Sequence, residues 1–215
     1  MLRKGLPPLP DRIKALPIDS RGYPIPWFVA EIEPGVRDFR FADRHKRVIA
    51  ARDRRCWVCS DKLGRYLAFV IGPMCAINRN TSEPACHREC AEFAVRACPF
   101  MLLPQAQYRK ANAPDSMQKP IGFLDGNPGC MCIWITTDFK PYRAGPNRDD
   151  WLILIGNPIE CLWYAGGELA TRKAVLESIE RRLPLLREVA EQHDGPEGVA
   201  LLEQLRDRAL ALVPA

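Results

Sequence analysis

The sequence predicts an α+β protein in which a metal-binding subdomain precedes a short antiparallel sheet and C-terminal helices. Two pairs of Cys and His residues have the spacing of metal ligands. Short β-branched and aromatic runs between residues 130 and 164 are typical of strands. Beyond residue 171, apolar side chains recur at helical intervals. A chain of 215 residues is long enough to bury one core.

The composition, 47% hydrophobic and 27% charged, is that of an ordinary folded protein. Prolines interrupt residues 1–26, so we expect no signal peptide. The longest apolar run, residues 67–77, is far shorter than the ~20 residues that cross a bilayer, and we expect no membrane span. Nine cysteines without export features favour reduced thiols and a cytoplasmic location.

The chain divides into five predicted regions. They are a Pro-rich N-terminal arm (1–27), a basic helix with a zinc module (28–104), a linker or surface loop (105–120), an antiparallel β segment (121–170) and C-terminal helices (171–215). The prolines of the arm favour extended backbone. The arm either wraps over the domain through Tyr23, Trp27 and Phe28 or binds a partner domain.

In the first half of the chain, residues 27–32 and 39–41 are predicted strands. Asp43 is a predicted N-cap for a helix ending near Arg54, with Val48, Ile49 and Ala51 facing inward and the Lys and Arg side chains in solvent.

Residues 66–71 form the next predicted strand, and Gly72-Pro73 turns it. Residues 78–83 read as an exposed loop. A helix then begins within residues 84–87 and ends at Cys98, because Pro99 cannot continue it.

The second half predicts three strands, at residues 130–136, 151–155 and 159–164. The Gly156-Asn157-Pro158 turn would join the last two in an antiparallel meander, and Gly166-Gly167 would end the sheet.

Thr171 is a predicted N-cap for a helix whose inner face carries Val175, Ile179 and Leu183, and Pro184 would kink or split this helix. A last helix over 196–212 places five apolar side chains on one face. These are Val199, Leu202, Leu205, Ala209 and Leu212.

The candidate metal ligands are Cys56, Cys59, His87 and Cys90. Cys56 and Cys59 fit one tight turn, and residues three apart in a first helical turn share a face, so His87 and Cys90 also converge. Three thiolates and one imidazole form a closed tetrahedral set that favours structural Zn²⁺ over iron. The alternative is a group of ordinary buried core residues. Trp57 would either cover the zinc sulfurs or stack on a base.

The remaining cysteines are weaker candidates. Cys86 could replace His87, but on a helix it would point about 100° away. Cys75 and Cys98 read as small core residues. A second thiol site, made by Cys130, Cys132 and Cys161, is the alternative to ordinary packing of small side chains.

The order of knuckle, strand-rich segment, loop and ligand-bearing helix over about residues 55–100 resembles that of treble-clef zinc fingers. This resemblance implies a geometry and no function. The stretches GYPIPWFVAEIE, RCWVC, FVIGPMCAINR, HRECAEFAVRACPF and WYAGGELATRKAVLESIE are similar to a group of uncharacterised bacterial and bacteriophage proteins. That similarity implies a prokaryotic or phage origin and supplies no catalytic residues.

Charge suggests a polyanionic partner for the zinc module. Residues 36–65 contain ten Lys or Arg and four Asp or Glu, and phosphate binding needs such an excess on one face. A solvated basic helix is the alternative. The candidate contacts to DNA or RNA are Arg44, Lys46, Arg47, Arg54, Arg55, Lys62, Arg65, Arg79 and Arg88.

Two other functions stay open. The protein could be an adaptor that binds a host protein through the Trp- and Cys-rich strands of residues 133–164. It could also be an HNH-like metal-dependent nuclease, although the two histidines outside the finger of about residues 55–100, His45 and His193, stand alone. We favour a protein without catalytic residues, and the sequence predicts no oligomeric state.

Overall fold

The computed structural model describes residues 1–103, 106, 126–146 and 151–215. Over these residues the fold is α+β, as predicted. The helices are α1 (Asp11–Lys14), α2 (Arg44–Asp53), α3 (Pro73–Asn78), α4 (Arg88–Ala97), α5 (Pro99–Leu102) and α6 (Arg172–Leu210). The strands are β1 (Val29–Glu33), β2 (Val36–Ala42), β3 (Leu67–Ile71), β4 (Asn80–Thr81), β5 (Met131–Thr136), β6 (Phe139–Arg143), β7 (Trp151–Ile155), β8 (Glu160–Ala165) and β9 (Glu168–Leu169).

The central sheet is antiparallel, with the strand order β3-β5-β8-β9. Strand β5 lies in its interior, and Ile133, Trp134 and Ile135 are all buried. Helix α4 packs against β3 and β5. The strand that follows the first cysteine pair and the helix that carries the second pair therefore share one core.

A second sheet of order β4-β7-β6 corrects the predicted meander. Strands β7 and β8 do not pair with each other, because the segment from Gly156 to Ile159 crosses between the sheets. Gly156 N–H donates to Asp138 O at 2.9 Å, and Ile159 N–H donates to Ile135 O at 2.7 Å. A Cβ on Gly156 would lie 2.6 Å from the Asp138 oxygen, so this crossing requires glycine.

Two further predictions about the sheets are wrong. Residues 78–83 are not an exposed loop, because β4 pairs with β7 and Thr81 is buried. Gly166-Gly167 does not end the sheet but forms the turn between β8 and β9.

Helix α2 begins where predicted, with the Asp43 carboxylate accepting from the backbone N–H groups of His45 and Lys46. Its inner face differs from the prediction. Val48 is exposed and Ala50 is buried beside Ala51.

The basic side chains of α2 are also less solvated than predicted. Lys46 and Arg47 are half-buried, and Arg47 stacks on Trp151 at 4.4 Å. The helix therefore attaches to β7 through a cation–π contact.

Helix α6 is a helical hairpin whose break is not at Pro184. Thr171 caps it as predicted, accepting from Ala174 N–H. The helix runs through Pro184 and breaks at Gly195, with φ 64° and ψ −154°. Beyond the break the segment returns antiparallel, so that Arg187 donates to Glu203. Among the described residues, no helix has the length and apolar character needed to cross a membrane.

The N-terminal arm lies against the core and contains one short helix. Ile13 of α1 is completely buried, Trp27 N–H donates to Val58 O at 2.7 Å, and Phe28 stacks on Trp57 at 4.9 Å. Binding of the arm to a partner domain stays a prediction. The predicted linker, residues 105–120, lies outside the described residues except for Ala106, as do residues 121–125 and 147–150 of the predicted β segment.

Candidate metal centre

The first ligand pair lies at the tip of a small hairpin. Arg55 and Lys62 form an antiparallel bridge, and Cys56 N–H donates to Asp61 O at 2.8 Å. Ser60 adopts a left-handed conformation (φ 70°) and donates its N–H to Cys56 O at 2.9 Å. This tight reversal brings the side chains of Cys56 and Cys59 to the same side of the turn.

The second pair belongs to the start of helix α4. His87 is the N-cap residue, with extended φ/ψ of −67° and 150°, and Cys90 lies in the first turn. The residue before His87 is fixed to β3, because Cys86 exchanges two backbone hydrogen bonds with Ala68 at 2.7 and 3.0 Å. The helix start is therefore held over the knuckle by the central sheet.

The four predicted ligands converge. One donor atom from each of Cys56, Cys59, His87 and Cys90 lies within 4.8 Å of the others. His87 Nδ1 is 3.4 Å from Cys59 Sγ and 4.0 Å from Cys90 Sγ. Zinc bonds of ~2.3 Å to sulfur and ~2.1 Å to nitrogen imply tetrahedral S–N edges of about 3.5 Å. The cluster thus has the size of a four-coordinate zinc site.

The imidazole of His87 is oriented for binding through Nδ1. Its Nε2 lies 3.1 Å from Lys62 O, a carbonyl that accepts only from a protonated nitrogen. This hydrogen bond favours the tautomer that leaves an unprotonated Nδ1 beside the sulfurs. The Lys62 carbonyl belongs to the same hairpin that carries Cys56 and Cys59. The hairpin therefore supplies two ligands and also orients His87, a ligand of the second pair.

The electrostatics of the thiols favour a cation. Hydrogen bonds from Cys59 and its neighbours lower the pKa of Cys56. Hydrogen bonding to Cys56 raises the pKa of Cys59 to about 11 and also raises the pKa of Cys90, because a second or third thiolate would lie beside the Cys56 thiolate. The hydrogen bond to Cys56 also raises the pKa of His87. A divalent ion would offset the repulsion between thiolates and displace their protons.

The structure excludes one of the two predicted roles of Trp57, and the other, covering the zinc sulfurs, stays a prediction. Trp57 is 3% exposed and stacks on Phe28, while Trp27 meets it edge-on at 6.5 Å. It is therefore unavailable for stacking on a base.

One further contact at the site has no signal in the sequence. Arg12 of the arm donates to Asp61 at 2.6 Å and to Glu89 at 2.9 Å, and so joins the knuckle to helix α4. The bridge depends on pairing across distant parts of the chain, which no local motif reveals.

One prediction about the other cysteines is corrected. Cys86 is not helical, because α4 begins at Arg88, and its thiol is buried. Cys130, Cys132 and Cys161 do not form a three-thiol site, since the described residues contain one group of Cys, His, Asp or Glu suited to a metal, the four ligands above.

Most of the predicted nucleic-acid contacts serve the fold. Arg54 stacks on Phe139, and Arg79 donates to Ile155 O at 2.8 Å. Lys46 donates to Val29 O at 3.1 Å, and Arg88 pairs with Glu92 and Glu160. With the Arg47–Trp151 stack, five of the nine side chains hold secondary structure together.

The other four of the nine side chains are exposed. Arg44 lies at the first position of α2. Arg55 donates to Ser60 O and Lys62 to Asp53 O, while Arg65 stacks on the exposed ring of Tyr66. Arg55, Lys62 and Arg65 surround the knuckle and contact carbonyl oxygens or a ring instead of carboxylates.

The knuckle, strand β3 and the ligand-bearing helix α4 follow one another in the predicted order, with α3 and β4 in place of the predicted loop. Kinship with treble-clef fingers stays a prediction, as does the bacterial or phage origin. No protein-family model, no curated protein and no solved structure matches the chain.

Proposed function

We propose that this protein binds one structural Zn²⁺ through Cys56, Cys59, His87 and Cys90. The observation that carries the proposal is the convergence of three sulfurs and a correctly oriented imidazole within 4.8 Å. Four protein donors leave no coordination position for a reactive water, so the ion stabilises the fold and performs no chemistry.

Elemental analysis tests the zinc site. Purified protein should contain one zinc per chain, and Cys59→Ser or Cys90→Ser should lower both zinc content and soluble yield, because metal binding is coupled to folding. Cys130→Ser is the matched control, since this thiol lies outside the cluster and serine can still donate to Ala174 O. Folded wild-type protein that carries no zinc as purified and binds none when zinc is added would refute the site.

The knuckle also supports a role in binding a single-stranded nucleic acid. Lys62 and Arg65 are exposed at the hairpin; the ammonium group of Lys62 donates to Asp53 O and the guanidinium group of Arg65 stacks on Tyr66. Because neither contact neutralises the positive charge, both side chains can bind phosphates. Tyr66 is 58% exposed next to Arg65 and offers a ring on which a base can stack. This surface is smaller than the nine-residue patch that the sequence predicts.

Salt-dependent binding of a fluorescent oligonucleotide tests this role. The salt slope is the change in the logarithm of the binding constant with the logarithm of the salt concentration, and each phosphate contact on a single strand contributes ~0.7 to its magnitude. If Lys62 and Arg65 each contact a phosphate, the double variant Lys62→Ala with Arg65→Ala should reduce this magnitude by about 1.4. The matched control removes two charges from α6, Lys173→Ala with Arg208→Ala, and should leave the slope unchanged. Equal losses in both variants would contradict a specific surface at the knuckle.

Tyr66→Ala separates stacking from charge. It should weaken binding by about 1–3 kcal/mol without altering the salt slope, because the ring carries no charge.

The host-protein adaptor is less well supported. The strands predicted to supply its apolar surface place Trp134, Trp163 and Tyr164 in the core.

A further inference from the structure

Helix α2 presents a cationic face to solvent. Its exposed residues lie within an arc of about 100°, because successive residues of a helix are ~100° apart and positions four apart nearly coincide. They are Arg44, His45, Val48 and Arg52. The opposite side of the helix is packed in the core, where Ala50 and Ala51 are buried. Within α2, which the structure describes completely, no exposed residue is an Asp or a Glu.

This face continues into the hairpin that carries the first ligand pair. Asp53, the last residue of α2, contacts both: its carboxylate pairs with Arg52 at 2.6 Å, and its backbone oxygen accepts from Lys62 Nζ at 2.6 Å. The exposed carboxylate of the hairpin, Asp61, is paired with Arg12 of the arm. Exposed cations therefore extend from the first residue of α2 to the hairpin. They are Arg44, Arg52, Arg55, Lys62 and Arg65.

The dimensions of the α2 face fit the major groove of duplex DNA. Arg44 and Arg52 are eight residues apart, so the helix rise separates them by ~12 Å, which is close to the ~12 Å width of that groove. The two guanidinium groups can therefore reach phosphates on both strands, while the small side chain of Val48 between them faces the base edges. The major groove of an RNA duplex is too deep and narrow for side chains to read, so an RNA duplex does not fit.

We propose that the protein binds a DNA duplex with a single-stranded extension, with α2 in the major groove and the surface of Lys62, Arg65 and Tyr66 on the extension. This inference rests on the proposed binding of a single strand at the knuckle. The contact between Lys62 and Asp53 holds the two surfaces side by side. The end of the duplex would therefore lie at the carboxyl end of α2, where the extension begins.

Fluorescence anisotropy of the full-length protein, as purified, tests the proposal with three DNA probes. They are a single strand, a blunt duplex of at least one helical turn (~10 bp), and the same duplex with a single-stranded extension at either the 5′ or the 3′ end. The duplex with an extension of one polarity should bind more tightly than the single strand and the blunt duplex. The same probe made of RNA should bind no more tightly than its single strand.

A charge variant identifies the part of the protein that contacts the duplex. Arg44→Ala with Arg52→Ala removes two phosphate contacts, each contributing ~0.9 to the magnitude of the salt slope, so this magnitude should fall by about 1.8 for the extended duplex. Between 1 M and 0.1 M salt the difference corresponds to about 60-fold in affinity. Binding of the single strand should not change. Lys173→Ala with Arg208→Ala, the matched control on α6, should bind every probe as the wild type does.

Val48→Glu tests the fit in the groove without removing a cation. Val48 is 43% exposed, so its replacement spares the core. A carboxylate at the centre of the α2 face would be repelled by the phosphates and should weaken binding of both duplex probes. Unchanged binding of the single strand by this variant would show that the fold is kept. Wild-type affinity of Val48→Glu for the duplex probes would mean that α2 does not enter the groove.

The outcomes separate this inference from the function of the knuckle. An extended duplex that binds no more tightly than its single strand would overturn the inference and leave single-strand binding intact. Equal weakening of the single strand and the extended duplex by the Arg44 and Arg52 variant would also overturn it, because α2 would then contact the strand. Equal binding of the blunt and extended duplexes, or an equal gain with RNA, would refute the proposed DNA partner. Absence of binding to every probe would overturn both proposals.

Discussion

At the scale of single residues, Ile13 shows how the N-terminal arm is fixed. Its side chain is completely buried in the core, while Ile18, only five positions later, is 37% exposed. We expect Ile13→Ala to lower the free energy of unfolding by about 2–5 kcal/mol, because it leaves a cavity in a closely packed site. Thermal unfolding of the zinc-loaded protein measures the change.

Ile18→Ala is the matched control in the same arm and should cost about 0.5 kcal/mol or less. Equal losses for the two variants would mean that Ile13 is not packed in solution and that the arm is mobile there.

At the scale of elements, the break in α6 depends on one glycine. Gly195 has φ 64° and ψ −154°, a region that is almost confined to glycine, although a Cβ there would meet no neighbouring atom. Gly195→Ala should therefore destabilise the helical hairpin by about 1–3 kcal/mol through backbone strain alone.

Gly64→Ala provides the comparison in denaturant unfolding. Gly64 also lies in open space but lacks a positive φ, so its replacement should change stability by no more than about 0.5 kcal/mol. A Gly195→Ala protein as stable as the wild type would show that α6 is continuous in solution.

Local signals explain which elements the sequence predicts correctly. The caps at Asp43 and Thr171 and the ligand spacings are each encoded within a few residues, and all three have the predicted geometry. The assignment of strands to sheets is not local. Strand β7 was predicted correctly but given the wrong partner, because a turn at Gly156 can reverse the chain or carry it to another sheet.

The same distinction explains the basic residues and the helix break. A count of charges does not reveal that Arg47 stacks on Trp151 or that Arg79 binds a carbonyl far along the chain. Pro184 predicts a break because proline lacks the N–H that donates within a helix, yet α6 continues through it. The chain changes direction instead at Gly195, which has a positive φ and precedes Pro196.

At the scale of the whole molecule, the metal centre and the sheet belong to one core. Cys56 and Cys90 lie in the same buried cluster as Ile133 of β5 and Val175 of α6. A core without an internal boundary is expected to unfold in one cooperative step. Zinc bound at one edge should therefore stabilise the entire described fold.

Calorimetry with and without a chelator tests this coupling. Zinc at 100 times its dissociation constant adds about 2.7 kcal/mol to the free energy of unfolding. In a domain of this size about 1 kcal/mol corresponds to 2–4 °C, so chelation should lower the Tm by about 5–10 °C while the single transition is kept.

The near-ultraviolet circular dichroism of the buried Trp57 and Trp134 should be lost at the same temperature, since one lies at the knuckle and the other in β5. Cys59→Ser protein, which lacks a ligand, should show no response to the chelator. If chelation instead produces a separate early transition seen only by Trp57, the knuckle unfolds independently and zinc stabilises that module alone.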